Sequence, residues 1–268
     1  MNRVNNSNRI GFIDAYRGLT LISMMLFHLM WDLASFGIGN AAAILESRGA
    51  FIWQQSICIS FILISGFCVQ FGRNRIKRSL MVLAGGVVIT IVTCLLLYED
   101  RDIFGVLWLL GTAGLLVIPI ERIHKWTMDI HCKKSHAVRI IYGMSGMIIA
   151  LALFIAFREV NHGYLGYGEH VLLELPQGLY RGYFMTFLGF KDPNFFSTDY
   201  FSILPWFFLY LAGFYLGTLV NLKKAPRLLK DFRLPLVNIL GRYSFWVYMV
   251  HQVVLYGIVY LIYMIKVG

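Results

Sequence analysis

The sequence predicts an all-α polytopic integral membrane protein with about seven transmembrane helices and its N-terminus inside. The first observation is composition: 58% of the 268 residues are hydrophobic and only 14% are charged, whereas a soluble domain carries about 25% charged residues. The second is a series of long apolar runs, and the third is the distribution of positive charge between them. The mean hydropathy of +0.66 leaves too few polar side chains for a water-facing surface. The length suits one transmembrane domain over residues 1–268.

Seven apolar segments come close to the roughly 20 residues that a helix needs to cross the hydrocarbon core. In chain order they cover residues 16–37, 51–71, 79–98, 103–120, 138–157, 201–220 and 243–265. We expect helices because a lipid-exposed segment must satisfy its backbone hydrogen bonds internally. No alternating strand pattern competes with this interpretation.

The loops between these segments carry positive charge unevenly. With the N-terminus inside, eighteen of the 24 Lys and Arg residues fall on the inner side. The six on the outer side are Arg48, Arg101, Arg158, Arg181, Lys191 and Lys266. This is the positive-inside bias, so the net charge of +10 reflects topology. A nucleic-acid partner is not expected, since no basic patch with interleaved aromatic residues lies outside the apolar segments.

Four ionisable residues lie in the first segment or just before it, and such residues are costly in hydrocarbon. At 100° per residue, Arg17 and His28 differ by about 20° around the helix, and His28 lies about 16 Å above Arg17. Asp14 and Asp32 lie within about 60° of Arg17, so all four share one stripe. The stripe is either a polar network that holds helices together or a reaction site. In the second case His28 exchanges a proton, Asp32 at i+4 orients the imidazole, and Arg17 meets a phosphorylated donor at the inner end.

The last segment carries a second polar group in the run GRYSFWVYMVHQ. Ser244 and His251 are seven residues apart and share a helix face. Tyr248 and Gln252 lie beside that face, and Arg242 precedes it at the inner end. If this face meets the first helix, a histidine from each helix borders one cavity. The aromatic residues of the run have the alternative role of an interfacial belt.

The longest loop, residues 158–200, is predicted outside and is rich in aromatic residues. Within it, residues 171–190 are predicted to form a re-entrant or interfacial helix. The sixth segment opens after Ser197, Thr198 and Asp199, which are residue types that suit a helix N-cap. Asp199 has the alternative role of facing a substrate on the outer side.

Two smaller features have structural interpretations. Gly213 and Gly217 form a GxxxG pattern on the sixth segment, which predicts close helix packing. The basic loop after the fourth segment contains a group of possible metal ligands: His124, His131, Cys132 and His136. Their spacing fits no standard zinc site, so no metal is expected.

Four blocks of the sequence support a family resemblance. The blocks are IDAYRGLTLISMMLFHLMWDL, IFGVLWLLG, STDYFSILPWFFLYLAGFYLG and GRYSFWVYMVHQ. In this order they resemble the heparan-α-glucosaminide N-acetyltransferase catalytic-domain family, in its short bacterial form. The pattern RG-x9-H, from Arg17-Gly18 to His28, is similar to the wider transmembrane acyltransferase superfamily. The lysosomal member carries its catalytic histidine just after the first helix, but this chain has no histidine between Trp31 and Phe51, so that position has no counterpart here. The expected catalytic histidine is instead His28, which matches the RG-x9-H pattern of the superfamily.

The resemblance implies an enzyme of the bacterial plasma membrane that moves an acyl group, expected to be acetyl, from cytoplasmic acyl-CoA to a saccharide hydroxyl or amine outside. The expected partners of such an enzyme are the lipid bilayer, acyl-CoA and a saccharide or lipid-linked glycan. Assembly into a homo-oligomer is compatible with the resemblance. The expected catalytic residues are His28, Asp32 and His251. Residues expected to bind the donor are Asp14, Arg17, Arg73, Arg75 and Arg242. Those expected to bind the acceptor are Asp199, Tyr200, Trp206, Tyr248 and Gln252.

Two other classes of protein remain open from the residues alone. In a proton-coupled transporter, His28 and Asp32 would relay protons. In a membrane scaffold, the same residues would form a structural polar core, and neutral substitutions would be tolerated.

Overall fold

The computed structural model describes residues 10–72, 74–131, 136–220 and 226–267. The helices are α1 (Gly11–Ser35), α2 (Ala41–Leu45), α3 (Arg48–Val69), α4 (Arg75–Leu96), α5 (Val106–His131), α6 (His136–Ala156), α7 (Tyr183–Leu188), α8 (Ile203–Leu219), α9 (Arg227–Lys230), α10 (Pro235–Arg242) and α11 (Ser244–Val267). Two strands, β1 (Tyr164–Tyr167) and β2 (His170–Glu174), form an antiparallel hairpin. Short 3-10 turns cover Tyr98–Asp100, Val160–His162 and Gln177–Leu179.

The predicted fold class is confirmed: the protein is a predominantly helical, polytopic membrane protein. Six helices among the described residues are long and apolar enough to cross a membrane, namely α1, α3, α4, α5, α6 and α11. The segment predicted at residues 201–220 also forms a helix, α8, but with 17 residues it is the shortest of the seven, about 25 Å at the α-helical rise. The seven-span count and the inside N-terminus stay predictions.

The predicted topology places the C-terminus on the outer side of the membrane. With seven spans and an inside N-terminus, a reporter fused after Lys266 is expected to lie outside. A reporter fused within residues 221–225, before the last span, is the matched control and should lie inside. Periplasmic alkaline phosphatase and cytoplasmic fluorescence distinguish the two sides. A cytoplasmic signal from the Lys266 fusion would refute the seven-span count.

The chain divides into two compact units. Unit 1 comprises Met1–Phe61 and Asn221–Gly268, and unit 2 comprises Ile62–Val220. Helix α3 contributes its first part to unit 1 and its last part to unit 2.

In unit 1, α1 packs against α10 and α11. Its approach to α10 requires glycine on both helices: a Cβ at Gly18 would overlap the carbonyl of Val237, and one at Gly241 would overlap the carbonyl of Asp14. The side-chain amide of Asn238 also donates to the Gly11 carbonyl over 2.8 Å. The backbone of α10 therefore lies directly against the first two turns of α1.

In unit 2, the predicted GxxxG packing is confirmed, and its partner is the last part of α3. A Cβ at Gly213 would overlap the carbonyl of Leu63, and a Cβ at Gly66 would overlap the carbonyl of Tyr210. Gly217 lies against Phe67 one turn further along. Small residues on both helices thus allow backbone-to-backbone contact, as is common between helices in membranes.

The helix predicted at residues 171–190 is wrong. The structure forms β2, a 3-10 turn and the six-residue helix α7 over this stretch. The hairpin turns at Gly168-Glu169, where Gly168 has φ +56°, a conformation that costs glycine little. Pro176 follows β2 and cannot donate to a continuing ladder. These turn residues divide the stretch into short elements, which the aromatic composition of the loop did not predict.

The predicted capping of α8 by Ser197, Thr198 and Asp199 is also wrong. The N-cap position of α8 is Ser202, so these residues come too early. Instead they bond to the chain that leads into α5: the amide of Ile103 donates to Ser197 Oγ over 2.9 Å, and the amide of Val106 donates to Asp199 Oδ2 over 3.3 Å.

The basic loop after the fourth segment is shorter than predicted, because α5 continues to His131 and α6 begins at His136. The ring of His124 lies 5.5 Å from that of Tyr142. Cys132 falls outside the described residues.

Candidate active site

The polar faces of the first and last membrane helices meet within unit 1. The rings of His28 on α1 and His251 on α11 lie 5.1 Å apart between centroids, edge to face. His28 is half-buried and His251 is buried. The two histidines that hydropathy places in separate spans are therefore direct neighbours.

The carboxyl of Asp32 lies one turn beyond His28 and is bound from α11. Gln252 Nε2 donates to Asp32 Oδ1 over 2.9 Å, and Asp32 is only 3% exposed. The structure therefore gives Asp32 a different partner from the one that the i+4 spacing suggested, because its carboxyl turns across the helix interface. Asp32 Oδ2 and Gln252 Oε1 are buried without a hydrogen-bond partner, so this pair retains acceptor capacity.

The orientation of His251 follows from its backbone contact. Its Nδ1 lies 2.6 Å from the carbonyl oxygen of Tyr248. Because a carbonyl only accepts, Nδ1 carries the proton, and Nε2 of the neutral ring is then an acceptor. Nε2 is buried and has no hydrogen-bond partner. The Tyr248 ring packs 5.2 Å from the imidazole and supports it from the same helix.

The N-terminal end of the stripe is held by a second contact between the two helices. The guanidinium of Arg17 donates to the hydroxyl of Ser244, the first residue of α11. Ser244 is buried, Arg17 and Asp14 are half-buried, and Arg242 is exposed nearby in the chain. Arg17 thus faces the N-terminus of a 24-residue helix, where the helix dipole favours negative charge.

The other residues predicted to bind the donor belong to unit 2 or fall outside the description. Arg73 lies outside the described residues. Arg75 pairs with Glu121 and also donates to the Gln70 carbonyl over 2.7 Å. Glu121, which sequence reasoning missed, accepts a second cation, Lys125, over 2.7 Å. Much of the charge of Arg75 is therefore compensated within the protein.

Arg75 nevertheless borders an open cavity of about 650 Å³ in unit 2. Its lining residues are Gly72, Asn74, Arg75, Ile76, Lys77, Leu80 and Ile118. The cavity combines a basic rim with an apolar wall.

Three of the five residues predicted to bind the acceptor, Asp199, Tyr200 and Trp206, belong to unit 2. The Tyr200 hydroxyl donates to the Thr186 carbonyl over 2.6 Å. Trp206 is buried, with the Arg158 guanidinium 4.9 Å above its ring. Both side chains have structural partners. The remaining two, Tyr248 and Gln252, belong to unit 1 beside the histidines.

Asp199 has a carboxyl partner that the sequence did not reveal, Asp102. Both groups lie at the start of α5, since Asp102 bonds to the amide of Gly105 and Asp199 to that of Val106. Burial raises the pKa of Asp102 to about 8, and the charge of Asp199 adds to the effect. Burial also raises the pKa of Asp199, against the opposing bond from Val106. The two acids are 97 residues apart in the sequence, so no local pattern indicated this pairing.

This pair should make stability depend on pH. The folded-state pKa of Asp102 is about 8, above its ordinary value of 3.8, so the protonated form is the stabilised one. Its contribution is complete below about pH 4 and is lost as pH rises through about 8. Asp102→Asn keeps an acceptor for Gly105 but cannot ionise. Thermal unfolding in detergent should show the variant more stable than the unmodified protein at pH 8 to 9, with the difference vanishing toward pH 5. Parallel curves at every pH would contradict the assignment.

Comparison with known proteins identifies the family of the chain. The sequence profile of the family described as "Heparan-alpha-glucosaminide N-acetyltransferase, catalytic" matches residues 9–253. The match includes all of α1 and the part of α11 that carries His251 and Gln252. No curated protein and no solved structure matches the chain. The profile covers most of the 268 residues and confirms the resemblance of the four ordered blocks. The chain belongs to the heparan-α-glucosaminide N-acetyltransferase catalytic-domain family, and is a multi-pass membrane protein of the acyltransferase class.

Proposed function

We propose that the protein transfers an acetyl group from cytoplasmic acetyl-CoA to a hydroxyl or amine of a saccharide on the outer side of a bacterial plasma membrane. The observation that carries this proposal is the contact between His28 and His251, in a chain whose family is one of acetyltransferases. The whole chain, residues 1–268, acts in it as one domain.

The donor meets the protein at the inner end of the stripe. Arg17 and Arg242 are the cations near the start of α11, and Ser244 holds the guanidinium of Arg17 in place. Phosphate groups suit such a position, where arginine lies at a helix N-terminus. Asp14 lies one turn before Arg17 and helps to orient the arginine at the place where the donor enters. Arg73 and Arg75 are not assigned to this contact, since Arg75 belongs to unit 2 and shares its charge with Glu121 there.

The proton chemistry takes place between the two histidines. A neutral imidazole removes the proton of the acceptor as its oxygen or nitrogen attacks the thioester carbonyl carbon. When the tetrahedral intermediate collapses, the carbon–sulfur bond breaks and the thiolate of CoA takes the proton. We assign the base to His28. His251, whose Nε2 is an acceptor in the neutral ring, positions the acceptor molecule by accepting a hydrogen bond from it. The donor is the second N–H when the attacking group is an amine, and a neighbouring sugar hydroxyl when it is a hydroxyl.

Asp32 supports this step electrostatically. With Gln252 on Oδ1 and no bond to His28, its carboxylate stabilises the imidazolium through its field. Of the residues expected to bind the acceptor, Tyr248 and Gln252 lie directly beside the histidines, and we assign the contact with the acceptor to them. Asp199, Tyr200 and Trp206 have partners within unit 2, and we assign them a supporting role in that unit.

The direct test uses purified protein, radiolabelled acetyl-CoA and a panel of amino sugars and neutral oligosaccharides. Time-dependent release of free CoA with label on a sugar is the expected result. If CoA is neither bound nor released, and reconstituted vesicles instead show proton-dependent solute uptake, the protein is a transporter and the proposal is wrong.

Arg17 provides a sharper test of the donor site. Arg17→Gln removes a charged hydrogen-bond donor, an interaction worth about 1.5–3 kcal/mol, so KM for acetyl-CoA should rise by roughly 10- to 100-fold. Ser244→Ala should raise KM less, because it removes only the group that positions the guanidinium. The exposed Arg48 on α3 is the control, and Arg48→Gln should leave KM unchanged. An unaltered KM in Arg17→Gln would move the donor site elsewhere.

A further inference from the structure

The segment from Pro226 to Tyr243, which contains α9 and α10, carries an exposed apolar surface. The inner face of α10 packs on α1 through Val237, Asn238 and Gly241. The opposite face carries Leu236 and Ile239, which are 78% and 53% exposed. Helix α10 is thus apolar on two sides, and only one side is covered by its own unit.

The same segment is rich in cations. Arg227, Lys230, Arg233 and Arg242 lie within the segment, against a single acid, Asp231. On α9, the apolar side chain of Leu228 is 80% exposed beside two of these cations. This composition, exposed leucine and isoleucine among arginine and lysine, is typical of a helix that lies in a membrane interface. Such a helix places its apolar face among the acyl chains.

The position of the segment in unit 1 agrees with this composition. It lies against the first turns of α1, at Gly11 and Gly18, and leads directly into α11 at Ser244. Both of those helices qualify as membrane spans. The segment is therefore at the level where two spans enter the bilayer, where apolar side chains reach acyl chains and cations reach headgroups.

We propose that the α9–α10 segment is an interfacial anchor that binds the acidic headgroups of the adjacent leaflet, with Leu228, Leu236 and Ile239 inserted among the acyl chains. Charge complementarity identifies the occupant: a net-positive apolar surface at this level fits an anionic lipid better than a neutral one. This role does not depend on acyl transfer.

The test places a fluorophore on the uncovered face. Leu236→Cys, in a cysteine-free version of the full chain, is labelled with bimane and reconstituted in nanodiscs that hold one copy. Quenching by nitroxide-labelled phosphatidylglycerol and by nitroxide-labelled phosphatidylcholine is then compared. We expect both lipids to quench, with an apparent preference for phosphatidylglycerol of at least about tenfold, since each basic residue contributes on the order of fivefold.

Charge-removing variants isolate the headgroup contribution. Replacing Arg227, Lys230 and Arg233 by glutamine should abolish the preference while the label stays protected from aqueous iodide. Replacing the exposed Arg48, Arg181 and Lys266 by glutamine removes the same charge elsewhere and should leave the preference intact. Equal quenching by both lipids in the otherwise unsubstituted chain overturns the proposal, as does access of iodide to the label. Protection that appears only with two copies per disc identifies a protein–protein contact and overturns it equally.

A measurement that needs no cysteine-free background uses native mass spectrometry. The unmodified protein, released from mixed lipids, should retain phosphatidylglycerol over phosphatidylcholine, and the Arg227, Lys230 and Arg233 triple variant should lose that selectivity. Equal retention by the two proteins contradicts the proposal even if the labelled variants fail to fold.

Discussion

Replacing His28 with alanine is expected to lower acetyl transfer by about 10²- to 10⁴-fold, the usual contribution of a positioned acid–base group. Its ring lies 5.1 Å from that of His251, which in our assignment positions the acceptor and does not remove its proton. The assay is initial-rate release of CoA at saturating acetyl-CoA, so that a change in donor affinity does not contribute.

The control for this substitution is His170→Ala. His170 is exposed on β2 of the hairpin, and its loss should leave the rate unchanged. Size-exclusion profiles and thermal unfolding should show that His28→Ala retains the fold, because His28 is only half-buried. A variant that is folded and turns over at the unmodified rate would remove His28 from the mechanism.

A comparison with His28→Gln distinguishes proton transfer from packing. Glutamine approximates the size and polarity of histidine but cannot accept a proton at neutral pH. If the polar stripe only held helices together, His28→Gln would restore activity. We expect His28→Gln to be as inactive as His28→Ala. Asp32→Asn removes only the negative charge of a carboxylate, so it should lose less activity than either.

Gly213→Leu should cause the largest loss of stability. The new side chain would meet the carbonyl of Leu63 and the amide of Phe67, which are backbone atoms that cannot rotate away. Helices α3 and α8 must then separate, and we expect the free energy of unfolding to fall by about 3 kcal/mol or more. Gly66→Leu, on the facing helix, should have a similar effect because it meets the carbonyl of Tyr210.

Gly257→Leu is the matched control for the glycine contact. Gly257 lies inside helix α11, and a Cβ there would meet no atom within 4 Å. Since leucine favours helix more than glycine, this variant should be as stable as the unmodified protein or slightly more so. Unfolding by SDS or heat, followed by far-UV circular dichroism, measures all three variants. Equal stability of Gly213→Leu and Gly257→Leu would show that the two helices do not touch.

Much of the membrane architecture was predictable from the sequence because it depends on local properties. Each of the seven predicted segments contains a helix, since length and apolar composition alone decide whether a stretch of chain is stable in lipid. The stripe of Asp14, Arg17, His28 and Asp32 follows from helical geometry in the same way. The GxxxG pattern also indicated close packing correctly.

Contacts between distant residues were not predictable. The bond from Gln252 to Asp32 joins residues 220 positions apart, and the i+4 rule had suggested His28 instead. The pairing of Arg75 with Glu121 and that of Asp102 with Asp199 were missed for the same reason. The hairpin at 164–174 was missed because its second strand overlaps the stretch 171–190, for which a helix was predicted.

The amino-acid sequence by itself determined that this protein lives in a membrane, which family it belongs to, and which polar residues share a face of its first helix. These properties reside in composition, in ordered blocks of sequence and in the period of a single helix. Only the tertiary structure decided that His28 faces His251, that α3 receives the glycines of α8, and that Gln252 holds Asp32. Such pairings depend on which helices approach each other and at what register, and no local pattern encodes that choice.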